Sequence, residues 1–342
     1  MRPSQNAVFA LCATGCLAAL LAGASSKAGG APLGTALRII KGTGTGLLWP
    51  SGIAVDPAGN IYVGNDGSLA GKLDTITVYA QSASGDASPV RTISGALARP
   101  GGIALDAAGA LYVASSGTSG GGTSEGPGAI LVFDKAAHGD AVPARTITSG
   151  ILKPKGLAFG PHGDLYVANY GAIVSAQNSI TVYGPGAKGQ SAPIRTISGP
   201  HTTLDTPLGL AVDSHGFVYV VNSGRVNLGI DSIIIFAPNA NGDAKPARII
   251  TGSQSALDTP QSIAVDGDGY AYVSNLVDSD VTVYAPGASG NALPVRTIGG
   301  SDAGLGAYVE GVALDARGQL YVVSRSQRVT EDPSWVSVFA TR

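Results

Sequence analysis

One phrase returns six times between residue 47 and the end of the chain, about fifty residues apart, and this recurrence limits the fold more than any other feature. It opens with a small residue, a short apolar run and usually an aspartate: Gly52-Ile-Ala-Val-Asp56, Gly102-Ile-Ala-Leu-Asp106, Gly156-Leu-Ala-Phe-Gly160, Gly209-Leu-Ala-Val-Asp213, Ser262-Ile-Ala-Val-Asp266 and Gly311-Val-Ala-Leu-Asp315. Two or three residues, usually with a glycine, lead to a second apolar run built around Tyr62, Tyr112, Tyr166, Tyr219, Tyr272 or Tyr321. That spacing predicts a tight hairpin. A variable polar loop then reaches a third run, typified by Ile76-Thr-Val-Tyr79, Ile180-Thr-Val-Tyr183 and Val281-Thr-Val-Tyr284, whose period of two is a strand signal. The fourth run carries one arginine per copy, Arg91, Arg145, Arg195, Arg248 and Arg296, each shortly after a proline, as suits an outer edge strand.

Six copies of four strands predict an all-β chain, a six-bladed β-propeller of four-stranded blades, with blades near 47–95, 96–150, 151–200, 201–253, 254–301 and 302–342. The sixth copy ends at Val338-Phe339-Ala-Thr-Arg342 without a fourth strand, and Ala36-Leu-Arg38-Ile-Ile40 has the missing pattern. Residues 36–41 are therefore expected to pair with 335–340 as the outer strand of the last blade, closing the ring and burying Leu37 or Ile39. At about 1 kcal/mol net per hydrogen bond, roughly four bonds and one buried aliphatic side chain approach half of a typical stability of about 5–15 kcal/mol.

Before this unit, residues 1–24 read as a secretory signal peptide: Arg2, an apolar stretch from Ala7 to Leu21, and Ala22-Gly23-Ala24 as a small-residue cleavage site. Residues 25–35 then form a linker. A secreted or periplasmic protein is expected, with lipid anchoring through Cys16 as the alternative, since Ala13-Thr14-Gly15 precedes it as an imperfect lipoprotein box. Cys12 and Cys16 both fall inside the leader, so the processed chain would carry neither a disulfide nor a thiolate metal site. No other apolar stretch is long enough to span a bilayer. A net charge of −2 offers no basic surface for nucleic acid, and 50 glycines, about twice the average share of ~7%, fit turn-rich β structure. A monomer is expected.

The phrases Pro-Ser-Gly-Ile-Ala-Val-Asp-Pro-Ala-Gly-Asn-Ile-Tyr-Val (50–63) and Leu-Tyr-Val-Ala-Asn (165–169) resemble the NHL repeat and, more loosely, bacterial surface propellers with a Tyr-Val-Thr-Asn signature. The resemblance spans nearly all of the chain after the leader. It implies the fold and leaves function open, because such propellers include binding scaffolds, lyases and lactonases. In the gluconolactonase-like propellers, which the chain also loosely resembles, the residue before the glycine of certain innermost strands reaches a metal ion. Those positions here hold Ser51, Gly101, Lys155, Leu208, Gln261 and Glu310. Only Glu310 and, less well, Gln261 could ligate, far short of the six to eight oxygens that calcium takes. No metal and no cofactor are expected, Glu310 is the sole catalytic candidate, and its simpler reading is a polar residue at a solvated channel mouth, balancing Lys155.

Other chemistry dissolves on inspection. His138, His162 and His215 map to hairpins on the face opposite His201, so the four histidines cannot share a zinc ion. Gly117-Thr-Ser119-Gly-Gly121 matches Gly-x-Ser-x-Gly, yet no strand-to-helix elbow surrounds it. The repeated aspartates, including Asp266-Gly-Asp268-Gly, read as hairpin caps, and the repeated arginines as scaffold. Asn65, Asn169, Asn222 and Asn275, at the ends of second strands, are expected to satisfy backbone groups.

What varies between copies is the face bearing the loops between second and third strands and those leading into each blade. Trp49, Tyr308, Glu310, Arg325, Arg328 and Trp335 should meet there at the closure seam, with Lys155 and Gln261 at the channel mouth. An aromatic, charged patch of this kind suits a sugar ring or a peptide. The expected function is an exported binding scaffold for a protein segment or glycan; the alternative is a lactonase- or lyase-like enzyme working at the channel mouth.

Overall fold

A computed structural model describes residues 35–117, 128–171, 178–224, 230–299, 303–326 and 334–341. The proposed leader, Cys12, Cys16, all but Thr35 of the linker, and Arg328 lie outside the described residues. Six antiparallel sheets follow one another along the chain. From the innermost strand outwards the first comprises Pro50–Val55, Ile61–Asn65, Thr75–Tyr79 and Arg91–Ser94. The second comprises Pro100–Leu105, Leu111–Ser115, Ala129–Phe133 and Arg145–Ile147. The third and fourth begin at Pro154–Phe159 and Pro207–Val212, the fifth at Pro260–Val265, and the sixth at Tyr308–Leu314.

The sixth sheet takes its outer strand from the amino end. Arg38–Lys41 runs antiparallel to Trp335–Phe339, pairing Arg38 with Val338 and Lys41 with Trp335. One detail of the expected strand is corrected. Its buried side chain is Ile40; Leu37 is 58% exposed and Ile39 only partly covered. Period two decides this, because Ile40 shares a face with Arg38 and enters the junction with the first blade beside Ile53, Ile61 and Tyr79.

Six apolar clusters, one at each junction between blades, make the core among the described residues. One joins Tyr62, Ile76 and Ile93 of the first blade to Ile103, Leu111 and Phe133 of the second. Another joins the sixth to the first through Tyr321, Val323, Val336 and Val338. Around the axis the innermost strands nearly touch. A Cβ on Gly52 would run into Gly101 O, one on Gly156 into Leu208 O, and one on Gly311 would lie 2.7 Å from Ser51 O, which closes the circle. Glycine recurs at this position in five blades because a Cβ there would press on the next blade's backbone. In the fifth blade Ser262 stands there, and its amide donates to Ser274 Oγ at 2.9 Å.

At the rim, Arg91, Arg145, Arg248 and Arg296 are shared between blades, as expected of scaffold residues, while the bonds of Arg38 and Arg195 lie within their own blades. Arg91 donates to Tyr62 of its own blade at 2.9 Å and to Lys135 O of the next at 2.8 Å. Arg38 reaches Tyr321 at 3.2 Å, and Arg296 reaches the Thr341 carbonyl. The outer strand is less of an edge than its prolines suggest. The hairpin of the following blade bridges it in parallel at Ile40–Gly85, Ile93–Gly139, Ile147–Gly189, Ile197–Gly242 and Ile250–Gly290.

A finer pattern overlies the six-fold repeat. Third strands end in Tyr79, Tyr183 and Tyr284 in odd blades and in Phe133, Phe236 and Phe339 in even ones. The odd-blade hydroxyls donate to Thr45 O, Ser149 O and Ser255 O. Burial pushes the Tyr79 hydroxyl up to about 12. The ring is thus three pairs of blades.

Replacing Gly311 with alanine forces the sixth and first inner strands apart and should cost about 1–3 kcal/mol, read by chemical denaturation. The same substitution at Gly287, where a Cβ meets nothing within 4 Å but φ is +78°, should cost only the backbone strain of about 1 kcal/mol.

Candidate functional site at the channel mouth

Because neighbouring strands are antiparallel, the loops entering each blade and those between second and third strands share one face. Five blades are entered through a residue before proline with left-handed backbone: Trp49, Arg99, Lys153, Thr206 and Thr259, with φ between 47° and 55°. This conformation is strained for such residues and must be held by its surroundings. Asp66 N donates to Trp49 O at 3.1 Å and Leu276 N to Thr259 O at 3.2 Å. Carboxylates of the preceding blade grip two of the turns, Asp74 accepting Arg99 N at 2.6 Å and Asp231 accepting Thr259 N at 2.7 Å. Burial raises the Asp74 carboxyl above its ordinary value. In the sixth blade Val309 replaces the proline, and Tyr308, in the register of Trp49, is already strand.

Trp49 and Tyr308, from adjacent blades, flank one cation. The Arg325 guanidinium lies 4.2 Å from the Trp49 ring centroid and 4.4 Å from that of Tyr308. Its Nε donates to Glu310 Oε1 at 3.0 Å, and its side chain is 9% exposed. Such a cation is held by two aromatic quadrupoles and a carboxylate in a partly dry setting, where each is stronger than in water. The neighbouring junction uses the same register, with Arg99 Nε 3.8 Å from Asp66 Oδ2.

Four residues of the expected seam patch therefore meet: Trp49, Tyr308, Glu310 and Arg325. Trp335 has other partners. Its indole donates to Gly304 O at 3.0 Å, and Lys41 Nζ of the outermost strand sits 4.1 Å over its ring. The partner found for Glu310 is Arg325, from its own blade. Lys155 stands three blades away, half-buried on the innermost strand. Gln261 donates to Thr259 O at 3.0 Å, and Ser51 to Pro100 O. These positions do not fit a lactonase-type metal: one carboxylate, already engaged by arginine, faces no second one. Among the described residues no group of three or more His, Cys, Asp or Glu is placed to hold a metal ion.

The remaining motifs take structural roles. Asp56, Asp106, Asp213, Asp266 and Asp315 each accept a backbone amide four residues on, at 2.8–2.9 Å. His201 Nδ1 lies 2.6 Å from Asp243, and His215 takes part in the Asp213 hairpin through its amide. Of the Gly-x-Ser-x-Gly match, all but Gly117 lies outside the described residues. Asn65, Asn169 and Asn275 accept the amides of Leu48, Leu152 and Asp258 at 3.0–3.1 Å, as expected. Asn222 also satisfies a backbone group, but as a donor, giving its amide to Thr203 O at 2.8 Å.

Six four-stranded blades around an axis, the last completed by the amino-terminal strand, define a β-propeller. Residues 38–64 match the family described as "Beta-propeller repeat". None of the curated proteins compared with the chain matches it. Among solved structures it is similar to the PQQ-bound aldose sugar dehydrogenase of Streptomyces coelicolor, with 19% identity, a TM-score of 0.60, and 89% of this chain and 97% of that one covered. It is also similar to a putative glucose dehydrogenase of Thermus thermophilus, with 16% identity, a TM-score of 0.57, and 88% and 99% covered. A gluconolactonase of Xanthomonas campestris gives 15% identity, a TM-score of 0.52, and 85% and 86% covered. At these identities the likeness is one of fold. No helix among the described residues is long and apolar enough to cross a membrane.

Replacing Arg325 with alanine leaves Glu310 without this partner and should destabilise the fold by about 3 kcal/mol, measured by denaturant unfolding. Emission from Trp49 should shift as its ring loses the stacked cation; an unchanged midpoint and spectrum would place the guanidinium elsewhere.

Proposed function

We propose that the chain is an exported binding propeller that captures a protein segment or glycan on its loop-bearing face, anchored by Trp49, Tyr308 and Arg325. One observation carries this reading: two aromatic rings from different blades are fixed at the channel mouth by a shared cation. Rigid aromatic side chains with a desolvated arginine are the residue types that dominate binding hot spots, because little ordering entropy is lost when they engage. Strained left-handed residues at the mouth of five blades add support, since such strain gathers at ligand-contacting positions. Export follows from the reading of residues 1–24 as a leader.

A second reading, an enzyme of the lactonase or lyase kind with Glu310 at the mouth, draws on the gluconolactonase and sugar dehydrogenase named among similar structures. The engagement of Glu310 by Arg325 weighs against it.

Trp49→Ala and Tyr308→Ala should each weaken capture of envelope glycans or peptides about tenfold or more while the β circular dichroism persists. Unchanged capture by folded variants removes the anchor. Heat on titration with calcium, zinc or manganese would favour the enzyme instead.

A further inference from the structure

The alternation of blades extends to the loop-bearing end of the second strand. In odd blades that strand ends in asparagine, and the third strand supplies a threonine hydroxyl to its amide: Asn65 to Thr77 at 3.1 Å, Asn169 to Thr181 at 2.9 Å, Asn275 to Thr282 at 3.1 Å. The second and sixth blades have Leu131 and Ser337 in place of threonine, and their second strands end in serine. Ser115 donates to Ala98 O, and Ser324 accepts Gly306 N, both at 3.0 Å. Either combination satisfies its polar groups.

The fourth blade mixes the two. Its third strand is of the even type, with Ile234 and Phe236, yet its second strand ends in Asn222. With no hydroxyl at 234, the amide turns towards Thr203 O, and Asn222 Oδ1 is left buried without a partner. The Oγ of the next residue, Ser223, is likewise unpartnered, and the two residues are 2% and 1% exposed. Each such oxygen costs about 1–3 kcal/mol, and serine at 222 would avoid the first. A residue that departs from the local pattern and leaves a buried oxygen without a partner points to a function, since departures of this kind concentrate at sites of recognition.

Ser223 also occupies the register that Arg325 holds in the sixth blade, directly after the second strand's asparagine or serine. We infer that Asn222 and Ser223 form a second subsite of the same binding face and take a ligand hydroxyl, which donates to Asn222 Oδ1 and exchanges a hydrogen bond with Ser223 Oγ. The neighbouring carboxylate, Asp231, accepts the amides of Gly224 and Thr259, so the unpartnered groups themselves are neutral. Neutral acceptor and hydroxyl groups favour an alcohol over an ammonium or carboxylate group. Together with aromatic rings at the sixth and first blades, they fit a ligand that alternates apolar faces with hydroxyls. This assigns the ligand as a neutral oligosaccharide. Both oxygens lie beneath the surface, so the hydroxyl enters by shifting the residues over them, and satisfying two buried groups favours that shift. The inference rests on the binding function proposed above.

The test titrates cellohexaose, laminarihexaose, maltohexaose and chitohexaose into the full chain by calorimetry, in parallel with Asn222→Ser and Ser223→Ala. At least one hexasaccharide should bind, and either substitution should weaken it tenfold or more. Ser223→Ala should melt at or above the parent temperature, because it removes an unsatisfied group, and Asn222→Ser should melt close to it, since the bond to Thr203 O is lost along with the unpartnered oxygen. Affinity changed less than twofold, or variants that melt lower while binding as before, would mean that the pair serves the fold alone and overturns the subsite. Trp49-dependent binding of peptides with no response to any hexasaccharide overturns the ligand class and leaves the binding face standing. Loss of both kinds of binding removes the face as well.

Discussion

Every blade depends on its neighbours to cover it. A four-stranded sheet of this composition is apolar on both faces, and each face finds its partner only across a junction, so every blade is fully covered only within the closed circle. The innermost strands set the tolerance. With Gly52, Gly156 and Gly311 packed backbone to backbone against the following blade, a methyl group added at any of them must be absorbed by its neighbours. The arginine bridges at the rim and the parallel glycine bridges beyond them hold the same junctions from outside. Each is individually modest and repeated around the axis.

The circle was cut, in chain order, inside the sixth blade. That cut brings the amino-terminal strand, the third strand of the last blade and the first blade together, and it leaves the channel mouth beside the seam unlike the rest. There the register of Trp49 and Tyr308 carries aromatic rings on adjacent blades, with Arg325 between them. Glu310, which in isolation looks like a catalytic carboxylate, is better understood as the counter-ion that allows this guanidinium to be nearly buried.

The fold was legible because repetition reports topology directly: six copies of one phrase, four of them with both its glycine and its aspartate, give six hairpins, and the incomplete last copy gives the closure. Much of the mouth was legible for the same reason, since Trp49 and Tyr308 fall at equivalent positions of neighbouring blades and Glu310 and Arg325 lie beside Tyr308 on the two inner strands of the sixth. Trp335 was not, because counting places a residue on a strand without saying which side chain it meets, and Lys41 and Gly304 claim it. The burial of Ile40 in preference to Leu37 needed only one register step. Asn222 and Ser223 were passed over for a different reason. Read singly, an asparagine that ends a strand satisfies its backbone, as all four do, three as acceptors and Asn222 as a donor. The signal lay in a comparison across blades, in the alternation of threonine and tyrosine with leucine, isoleucine or serine and phenylalanine on the third strand.

Closure by the amino-terminal strand carries the whole account, and removal of residues 32–45 tests it most directly by comparing the melting temperature of the shortened chain with that of the chain from residue 25. Loss of the strand hydrogen bonds, of Ile40 from the last junction and of the bridge to Gly85 should lower it by roughly 10 °C or more, at about 2–4 °C per kcal/mol for chains approaching this size. A shortened chain that melts within about two degrees of the longer one would mean that the circle holds without its clasp.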